Sequence, residues 1–363
     1  MAKILLNMIV KNEAKIISRL LNSVETTIDA LVICDTGSSD NTVEIIEDWA
    51  KSKGILYKVV QDQWVNFGFN RTNAVYYAKE YLINTDNKLE DWYLLFLDAD
   101  MQLMVDSLFD KNKLNHPAYS IMQCHDNSFE YSNVRLVRAD VEMKYMAPTH
   151  EYLYIGDLQD TILSSLKIND IGDGGAKVDK YERDIKLLKE ALKTEPENPR
   201  YLFYLANSYY DIGDYNTAKQ WYEARYNVIG WEEERWYAKY KWGASLLKLS
   251  SVVDAEKILL EAFQERPWRA EPVFALAQYY HEKNDHVRAY MYASLAIKVE
   301  STKEDKLFID KNANGGNGPI EIVSVHAYYI GFFAEGLYCT QKLISAYPNV
   351  EQYKKNLQFY IKP

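Results

Sequence analysis

Two aspartates, Asp98 and Asp100, are the residues whose type and spacing in this sequence best suit chemistry. They follow the apolar segment 92–97, WYLLFL, which has the character of a buried strand. Carboxylates at the end of such a strand can hold a hard divalent cation, Mg²⁺ or Mn²⁺, against phosphate oxygens. Asp100 is the better candidate for direct coordination, whereas Asp98 could bind the cation or ribose hydroxyls. The alternative is that both aspartates only end the strand and cap the next turn.

A second candidate pair, His150 and Glu151, lies in the strand-like segment APTHEYL. Imidazole is a good ligand for Mn²⁺, so we predict that His150 completes the metal shell. Glu151 is then the predicted general base toward an acceptor hydroxyl. Neighbours in a strand point to opposite faces, so both can serve one site only where the backbone is irregular, which Pro148 permits. The alternatives are a structural histidine at 150 and Asp126 as the base.

The first 150 residues alternate strand-like and helix-like segments, an order that predicts an open, mainly parallel α/β sheet. The predicted strands are 3–10, 30–34, 55–60 and 92–97, and the helices between them are 14–26, a segment ending near 53, and 71–82. Beyond residue 101, strand-like segments at 119–124, 133–137 and 152–155 predict antiparallel additions to the sheet edge. Ligands bind outside the carboxyl ends of such strands, so the loops after Val10, Cys34 and Leu97 should meet at one crevice.

Three polar side chains near these predicted strand and helix ends could contact a nucleotide. Asp35 opens the loop DTGSSDNT after the second strand, where it could instead form an Asx turn. Glu13 could instead cap the helix that follows it. Arg71 lies near a predicted helix start, where it could bind phosphate or make a surface salt bridge. Together with the acidic pair, these loops favour a nucleotide-sugar site with a bound cation.

Four segments, VKNE (10–13), CDTGSSDNT (34–42), FNRTN (69–73) and LDADM (97–101), resemble in order and spacing the family-two glycosyltransferases of the GT-A fold. The resemblance covers about residues 1–155 and implies an inverting, metal-dependent transfer from an NDP-sugar, with UDP favoured. The nucleotide-sugar-binding residues that it implies are Val10, Asn12, Glu13, Asp35, Arg71 and Asp98. The first four would line the nucleoside pocket, Arg71 would reach the base or diphosphate, and Asp98 would form the D-x-D with Asp100.

Two further points concern this resemblance. The pair His150-Glu151 is similar to the H-E that follows the acceptor-side strands in the subgroup carrying K-N-E. Many relatives have two acids, D-D-G-S, where this chain has Asp35-Thr36. The chain therefore departs from the family at the residue expected to contact the base.

The second half of the chain is helical and has the spacing of TPR helix pairs. Small residues recur twelve positions apart as Ala206 with Ala218, Gly243 with Ala255, Ala277 with Ala289 and, in a fourth unit, Ala327 with Cys339. A polar insert at 301–319 interrupts the array. We expect most tyrosines of this half to be packing aromatics.

The predicted domains are a GT-A domain at 1–175 and a TPR-like domain at 176–363. The Gly-rich segment 170–175, DIGDGG, joins them as a hinge or lid over the donor site, or as a plain linker. Lys177, Lys180 and Arg183 follow it and would lie along one side of the next helix.

Composition narrows the functional class. A net charge of −10 over 363 residues argues against nucleic acid and anionic membranes as partners. Three dispersed cysteines without C-x-x-C predict neither a zinc site nor disulfides and favour a reducing, cytoplasmic compartment. No stretch approaches the ~18 apolar residues of a membrane span.

The leading hypothesis is a soluble inverting glycosyltransferase that uses Mn²⁺ or Mg²⁺ and moves a sugar to a protein or glycan acceptor. Its repeats would bind the acceptor or form a homodimer. One alternative is an inactive scaffold that binds a nucleotide-sugar without turnover. Another is a nucleotidyltransferase, which usually needs a glycine-rich loop after the first strand, and VKNE lacks that glycine.

Overall fold

The computed structural model describes residues 2–125, 129–175, 180–300, 305 and 307–361. The chain divides into two compact units, 1–187 and 188–363. The division falls inside helix α4 (Lys180–Thr194), a little beyond the predicted boundary at 175/176. In the described residues, no helix is long and apolar enough to cross a membrane.

The described residues of the first unit contain ten strands, eight in a large sheet and two in a small one. The strands are β1 (Lys3–Val10), β2 (Ala30–Asp35), β3 (Leu56–Gln61), β4 (Trp92–Phe96), β5 (Met101–Val105), β6 (Ala118–His125), β7 (Phe129–Arg138), β8 (Lys144–Met146), β9 (Tyr152–Tyr154) and β10 (Thr161–Asp170). Their order in the large sheet is β3-β2-β1-β4-β7-β6-β10-β5, and β8 pairs only with β9. As predicted, β1 to β4 form a parallel half.

The parallel half forms because its strands are apolar on both faces. All six residues of β2 and all five of β4 are buried. Alternate residues of β1 face two different cores: Ile4 and Leu6 lie in one, and Leu5 lies in the other. Burial on both faces is what the continuous apolar runs predict.

Three helices connect the parallel strands: α1 (Ile17–Val24), α2 (Thr42–Lys53) and α3 (Phe67–Asn84). Helix α1 buries Ile17, Leu20, Leu21 and Val24, the residues whose helical spacing predicts it. Helix α3 begins four residues before the predicted start at 71, because the Asn66 side chain accepts a hydrogen bond from the Phe69 amide and caps the helix.

The strands after residue 101 depart from the prediction. β7 is antiparallel to β4 and β6, as expected, but β6 and β10 are parallel to each other. The segment predicted at 152–155 forms β9 of the small sheet rather than an edge of the large one. β5 and β10 were not predicted at all. Their pairing joins residues 61 to 69 positions apart, and β10 is only half-buried, so the local apolar pattern is weak.

The second unit consists of consecutive helices that pack as pairs. They are α5 (Pro199–Asp211), α6 (Tyr215–Asn227), α7 (Glu232–Lys248), α8 (Val252–Glu265), α9 (Glu271–Glu282), α10 (His286–Ile297), α11 (Gly318–Tyr329), α12 (Phe333–Ala346) and α13 (Glu351–Ile361). The small residues predicted at the contacts are buried. A Cβ added at Gly243 would lie 2.6 Å from Leu259 Cγ, so this contact requires glycine. The predicted insert separates α10 from α11.

Candidate active site

The loops after β1 and β2 are joined by hydrogen bonds at the carboxyl ends of the strands. Thr36 donates from its amide and its hydroxyl to the Val10 carbonyl, at 3.0 and 3.1 Å. Asn12 has a φ of 57°. Its side-chain Oδ1 accepts a hydrogen bond from the Ser39 backbone amide at 2.7 Å, and its backbone amide donates to Ser38 Oγ at 2.9 Å. The loops after β1 and β2, which were predicted to meet, are therefore joined by hydrogen bonds.

Asp35 organises the second of these loops. Its carboxylate accepts from the Gly37 amide at 3.3 Å, the Ser38 amide at 3.1 Å and the Ser38 hydroxyl at 2.5 Å. The side chain is 1% exposed, and Gly37 has a φ of +99°, which favours glycine. The structure thus contains the Asx-type turn, and the nucleoside contact of Asp35 stays a prediction.

Glu13 faces the Gly-rich segment rather than a helix end. Helix α1 begins only at residue 17 and has no side-chain cap. The Glu13 carboxylate instead accepts from the Gly175 amide at 3.2 and 3.3 Å. Burial raises the pKa of Glu13, and the charge of Asp100 adds to the rise. Glu13 is therefore part of the acidic site at the strand ends.

Asp98 lies between two arginines. Arg71 Nη2 donates to Asp98 Oδ1, and Arg135 Nη1 lies 3.7 Å from Oδ2. Arg71 also donates from Nε to Glu151 Oε1 at 2.6 Å, so it bridges the D-x-D and the predicted base. Burial acts to raise the pKa of Asp98, but Arg71 and then Arg135 hold it below its usual value.

Asp100 has the opposite environment. Burial raises its pKa, the carboxylates of Asp98 and Asp170 raise it further, and the Gly174 backbone offsets part of the rise. A Cβ at Gly174 would lie 3.1 Å from Asp100 Oδ2. Uncompensated negative charge is concentrated at this carboxyl group.

The segment 170–175 contacts this acidic site. Ile171 donates its amide to the Asp100 carbonyl at 3.2 Å, and Asp173 makes a two-point ion pair with Arg19 at 2.6 and 2.9 Å. Together with the bond from Gly175 to Glu13, these contacts join the segment to α1 and to the residues that follow β1 and β4. Of the predicted basic residues after it, Lys177 lies outside the described residues.

His150 lies in an irregular turn that packs against α3 and α4. Ala147 and His150 have φ values of 78° and 51°, so the irregular backbone expected beside Pro148 is present. A Cβ at Gly68 would lie 2.2 Å from the Ala147 carbonyl oxygen, so the turn requires glycine in α3. His150 Nε2 lies 3.6 Å from Oδ2 of Asp184, a carboxylate that is 1% exposed.

The predicted metal ligands are Asp98, Asp100 and His150. Within the described ranges, no three His, Cys, Asp or Glu side chains lie together so that they could hold a metal ion. Asp98, Asp100 and His150 therefore form no preassembled three-ligand shell in this part of the chain, and His150 Nε2 lies beside Asp184. Two carboxylates beside an excess of negative charge nevertheless fit Mg²⁺, which commonly uses one or two carboxylates and fills its shell with water and substrate phosphates.

Sequence reasoning missed several residues that the fold brings to this site: Arg19, Arg135, Asp170, Asp173 and Asp184. Asp170 and Asp173 lie in the Gly-rich segment that composition already singled out, so a signal existed for them. Arg135 and Asp184 have no local motif. The second candidate base, Asp126, lies outside the described residues.

The second unit carries a separate polar groove of about 340 Å³, formed by α9, α11, α13 and the end of the insert. Its lining includes the amide or carboxylate groups of Gln278, Asn312, Glu321, Gln352 and Asn356 and the rings of Phe274 and Tyr353. No Lys or Arg is part of this lining, so the groove suits a neutral or cationic ligand.

Known proteins resemble both halves of the chain. Residues 7–147 match the family model described as glycosyl transferase family 2. This chain is 28% identical over 214 residues to the glycosyltransferase SunS of Bacillus phage SPbeta and to its prophage-derived counterpart in Bacillus subtilis (strain 168). The aligned residues cover 54% of this chain and 46% of SunS. A TPR repeat-containing protein of Synechococcus elongatus is 30% identical over 159 residues, 42% of this chain and 35% of that protein. The chain thus spans less than half the length of these relatives.

Among solved structures, this chain is similar to a crystal structure of MamA. The aligned region covers 53% of this chain and 96% of the MamA chain, with a TM-score of 0.38 and 20% sequence identity. It is also similar to the crystal structure of the C-terminal part of a TPR repeat-containing protein from Cytophaga hutchinsonii. That alignment covers 51% of this chain and 66% of the other, with a TM-score of 0.41 and 15% sequence identity. The residues that match the family model, 7–147, contain strands β2 to β8 of the first unit.

Proposed function

We propose that this protein is a metal-dependent, inverting glycosyltransferase that uses an NDP-sugar, with a UDP-sugar favoured. The observation that carries this proposal is the position of the D-x-D. Asp98 and Asp100 follow β4, beside Arg71, at the edge of the sheet where the loops after β1 and β2 are joined. This edge is where parallel α/β sheets bind nucleotides, and the family match covers the same residues.

Asp100 and Asp98 would hold the Mn²⁺ or Mg²⁺ ion. When bound, the cation would neutralise charge that develops on the leaving diphosphate. The raised pKa of Asp100 supports this assignment. Burial and the charge of Asp98 disfavour the ionised carboxylate of Asp100, and a bound cation would offset both effects. His150, whose Nε2 lies beside Asp184, stays a predicted third ligand.

The remaining residues would bind the donor and activate the acceptor. Val10, Asn12, Glu13 and Asp35 are the proposed lining of the nucleoside pocket. Glu151 is the proposed general base, and the bond from Arg71 Nε to its Oε1 would orient the carboxylate. An inverting transfer would then be a single displacement, with the base on the acceptor side and the diphosphate leaving opposite.

The helical unit is proposed to bind the acceptor, a protein or a glycan, or to form a homodimer. The polar groove beside α9, α11 and α13 supports an acceptor role, because its amide groups can hydrogen-bond a peptide or hydroxyl groups. Its aromatic rings offer apolar faces to the same ligand.

Donor turnover tests this function. Purified protein with Mn²⁺ and a panel of nucleotide-sugars should bind one of them and slowly release nucleoside diphosphate and free sugar. The substitution Asp100→Asn should abolish metal-dependent release, because it removes the charge of the proposed ligand. The matched control is Asp48→Asn in α2, where the side chain is 70% exposed, and this variant should keep full activity.

Two outcomes would contradict the proposal. Absence of both binding and release with every divalent ion would rule out a nucleotide-sugar enzyme. Metal-dependent binding without release, even with candidate acceptors present, would instead support the inactive scaffold.

A further inference from the structure

Arg135 occupies an irregular position in β7, directly beside the strand that carries the D-x-D. In the pairing of β6 with β7, Tyr119 lies opposite Leu136 and Ser120 lies opposite Val134. The register therefore skips Arg135, which is the extra residue of a β-bulge. Bulges bend a strand and redirect a side chain, and they are frequent beside active sites.

The bulge brings the Arg135 guanidinium to the carboxyl end of β4. Nη1 lies 3.5 Å from the Phe96 carbonyl oxygen and 3.7 Å from Asp98 Oδ2. Tyr131, earlier on the same strand, lies close enough to Arg135, Asp98 and Asp100 for all three charges to affect its pKa, which burial raises most. Arg135 and Tyr131 thus border the acidic site from the β7 side.

Uncharged groups hold Arg135 in place. Its Nε donates to Gln123 Oε1 at 3.0 Å, and Gln123 is fully buried. The same Oε1 accepts from Asn133 Nδ2 at 3.2 Å, while Gln123 Nε2 donates to the Tyr131 hydroxyl at 3.3 Å. A buried glutamine that anchors one edge of a guanidinium orients it without neutralising its charge.

Arg71 and Arg135 therefore differ in the charge they can offer to a ligand. Arg71 makes close ion pairs with two carboxylates, those of Asp98 and Glu151. Among the residues that the structure describes, Arg135 has one carboxylate within 4 Å, that of Asp98, and the separation of 3.7 Å exceeds a hydrogen bond. Its side chain is 13% exposed, so a ligand that entered here would meet a largely desolvated cation.

We propose that Arg135 is a donor-binding residue that contacts phosphate oxygens of the nucleoside diphosphate. The proposal rests on the proposed function, since it concerns the leaving group of that reaction. A planar guanidinium fixed along one edge matches the geometry of phosphate oxygens. It would supply positive charge at a site where the neighbouring carboxylates would otherwise repel the diphosphate.

Nucleotide binding in the presence of Mn²⁺ tests this role, with UDP and uridine as the two probes. Arg135→Gln should weaken UDP binding by about 10- to 100-fold, the range for loss of a charged hydrogen bond. Uridine has no phosphate, so its affinity, followed by ligand-observed NMR, should change less than about twofold. Arg135→Lys keeps the charge but loses the fork and should give an intermediate UDP affinity.

The matched control is Arg138→Gln on the same strand. Arg138 pairs with Asp140, and its side chain is 32% exposed. This variant should bind both probes like the unmodified protein. Thermal melting of each variant separates loss of folding from loss of affinity, and if Arg135→Gln does not fold, Arg135→Lys carries the same comparison.

Three results would overturn the inference. A folded variant at position 135 that binds UDP within about twofold of the unmodified protein would remove Arg135 from the phosphate site. Equal losses for UDP and uridine would show a general structural role. In both cases the unmodified protein still binds UDP, so the proposed function stands and only the role of Arg135 fails. The third result is an unmodified protein that binds no nucleoside diphosphate of any base, which would contradict the proposed function as well.

Discussion

Asp98 and Asp100 are separated by one residue, yet their surroundings shift their pKa values in opposite directions. Arg71 and Arg135 lower the pKa of Asp98 against the effect of burial, whereas burial and neighbouring carboxylates raise that of Asp100. An acid whose pKa is raised by folding costs stability at every pH above its ordinary value. The Asp100 carboxylate therefore destabilises the metal-free protein at neutral pH, a cost typical of functional sites.

Removing this charge should stabilise the metal-free protein. Because folding raises the pKa of Asp100, stability is lost as the pH rises through that pKa, and Asp100→Asn should remove this loss. We expect the variant to melt above the unmodified protein at pH 7 without metal, and to lose the upward shift that Mn²⁺ gives. Thermal melting with and without Mn²⁺ measures both effects. An unchanged Mn²⁺ shift in the variant would show that Asp100 is not a metal ligand.

At the scale of elements, three histidines connect α9, α10 and α11. His326 is 1% exposed; its Nε2 lies 2.7 Å from His281 Nδ1, and its Nδ1 lies 2.9 Å from His286 Nδ1. Burial lowers the pKa of His326 to about 4, and the two neighbouring imidazoles contribute, while Asp285 opposes them weakly. The packing of these three helices is therefore adapted to a neutral imidazole at position 326.

The helical unit should lose stability in mild acid for this reason. A histidine whose pKa falls on folding contributes fully above its ordinary value near 6.5, and this contribution is lost as the pH falls toward 4. When complete, this lowers the free energy of unfolding by roughly 3 kcal/mol, the energy that corresponds to the fall in the pKa of His326. Denaturant-induced unfolding measured at pH 7 and at pH 5 should show that the free energy of unfolding falls less for His326→Asn than for the unmodified protein. The control, His116→Asn in the first unit, should keep the full pH dependence.

Equal losses at pH 5 in the unmodified protein and in His326→Asn would assign the acid sensitivity to other groups. The histidine cluster would then be a passive packing contact.

At the scale of the whole molecule, each unit has cores made of its own residues. Leu5, Val32 and Leu94 belong to one core of the first unit, and its second core lies on the other face of the sheet. The helical unit has a core that runs from Leu246 to Leu343 and a smaller one around Phe203 and Tyr222. Separate cores are what allow units to fold independently.

A fragment of residues 180–363, which begins with α4, should therefore fold alone. Circular dichroism should show a helical protein, and it should unfold cooperatively with heat, because neighbouring repeats bury one another's surfaces. A disordered fragment, or one that loses its helices gradually, would contradict the independence of the two units.

Much of the architecture could be predicted because it depends on neighbours along the chain. The apolar runs of β1, β2 and β4 require burial on both faces, and the spacing of small residues locates the helix pairs. The convergence of the loops after β1 and β2 also follows, because parallel strands end at the same edge. β5 and β10 were missed, since a half-buried strand that pairs with a distant segment has little local pattern.

The two-part organisation, the parallel half-sheet and the acidic pair at the end of β4 follow from the amino-acid sequence, because apolar periodicity and burial depend on adjacent residues. The partners of that pair, in contrast, depend on how distant parts of the chain pack together. Arg71 is 27 positions from Asp98, and the contact depends on how α3 packs on the sheet. Likewise, Asp184 meets His150, and a bulge turns Arg135 toward Asp98. Such contacts depend on topology and register, which no local pattern of residues contains.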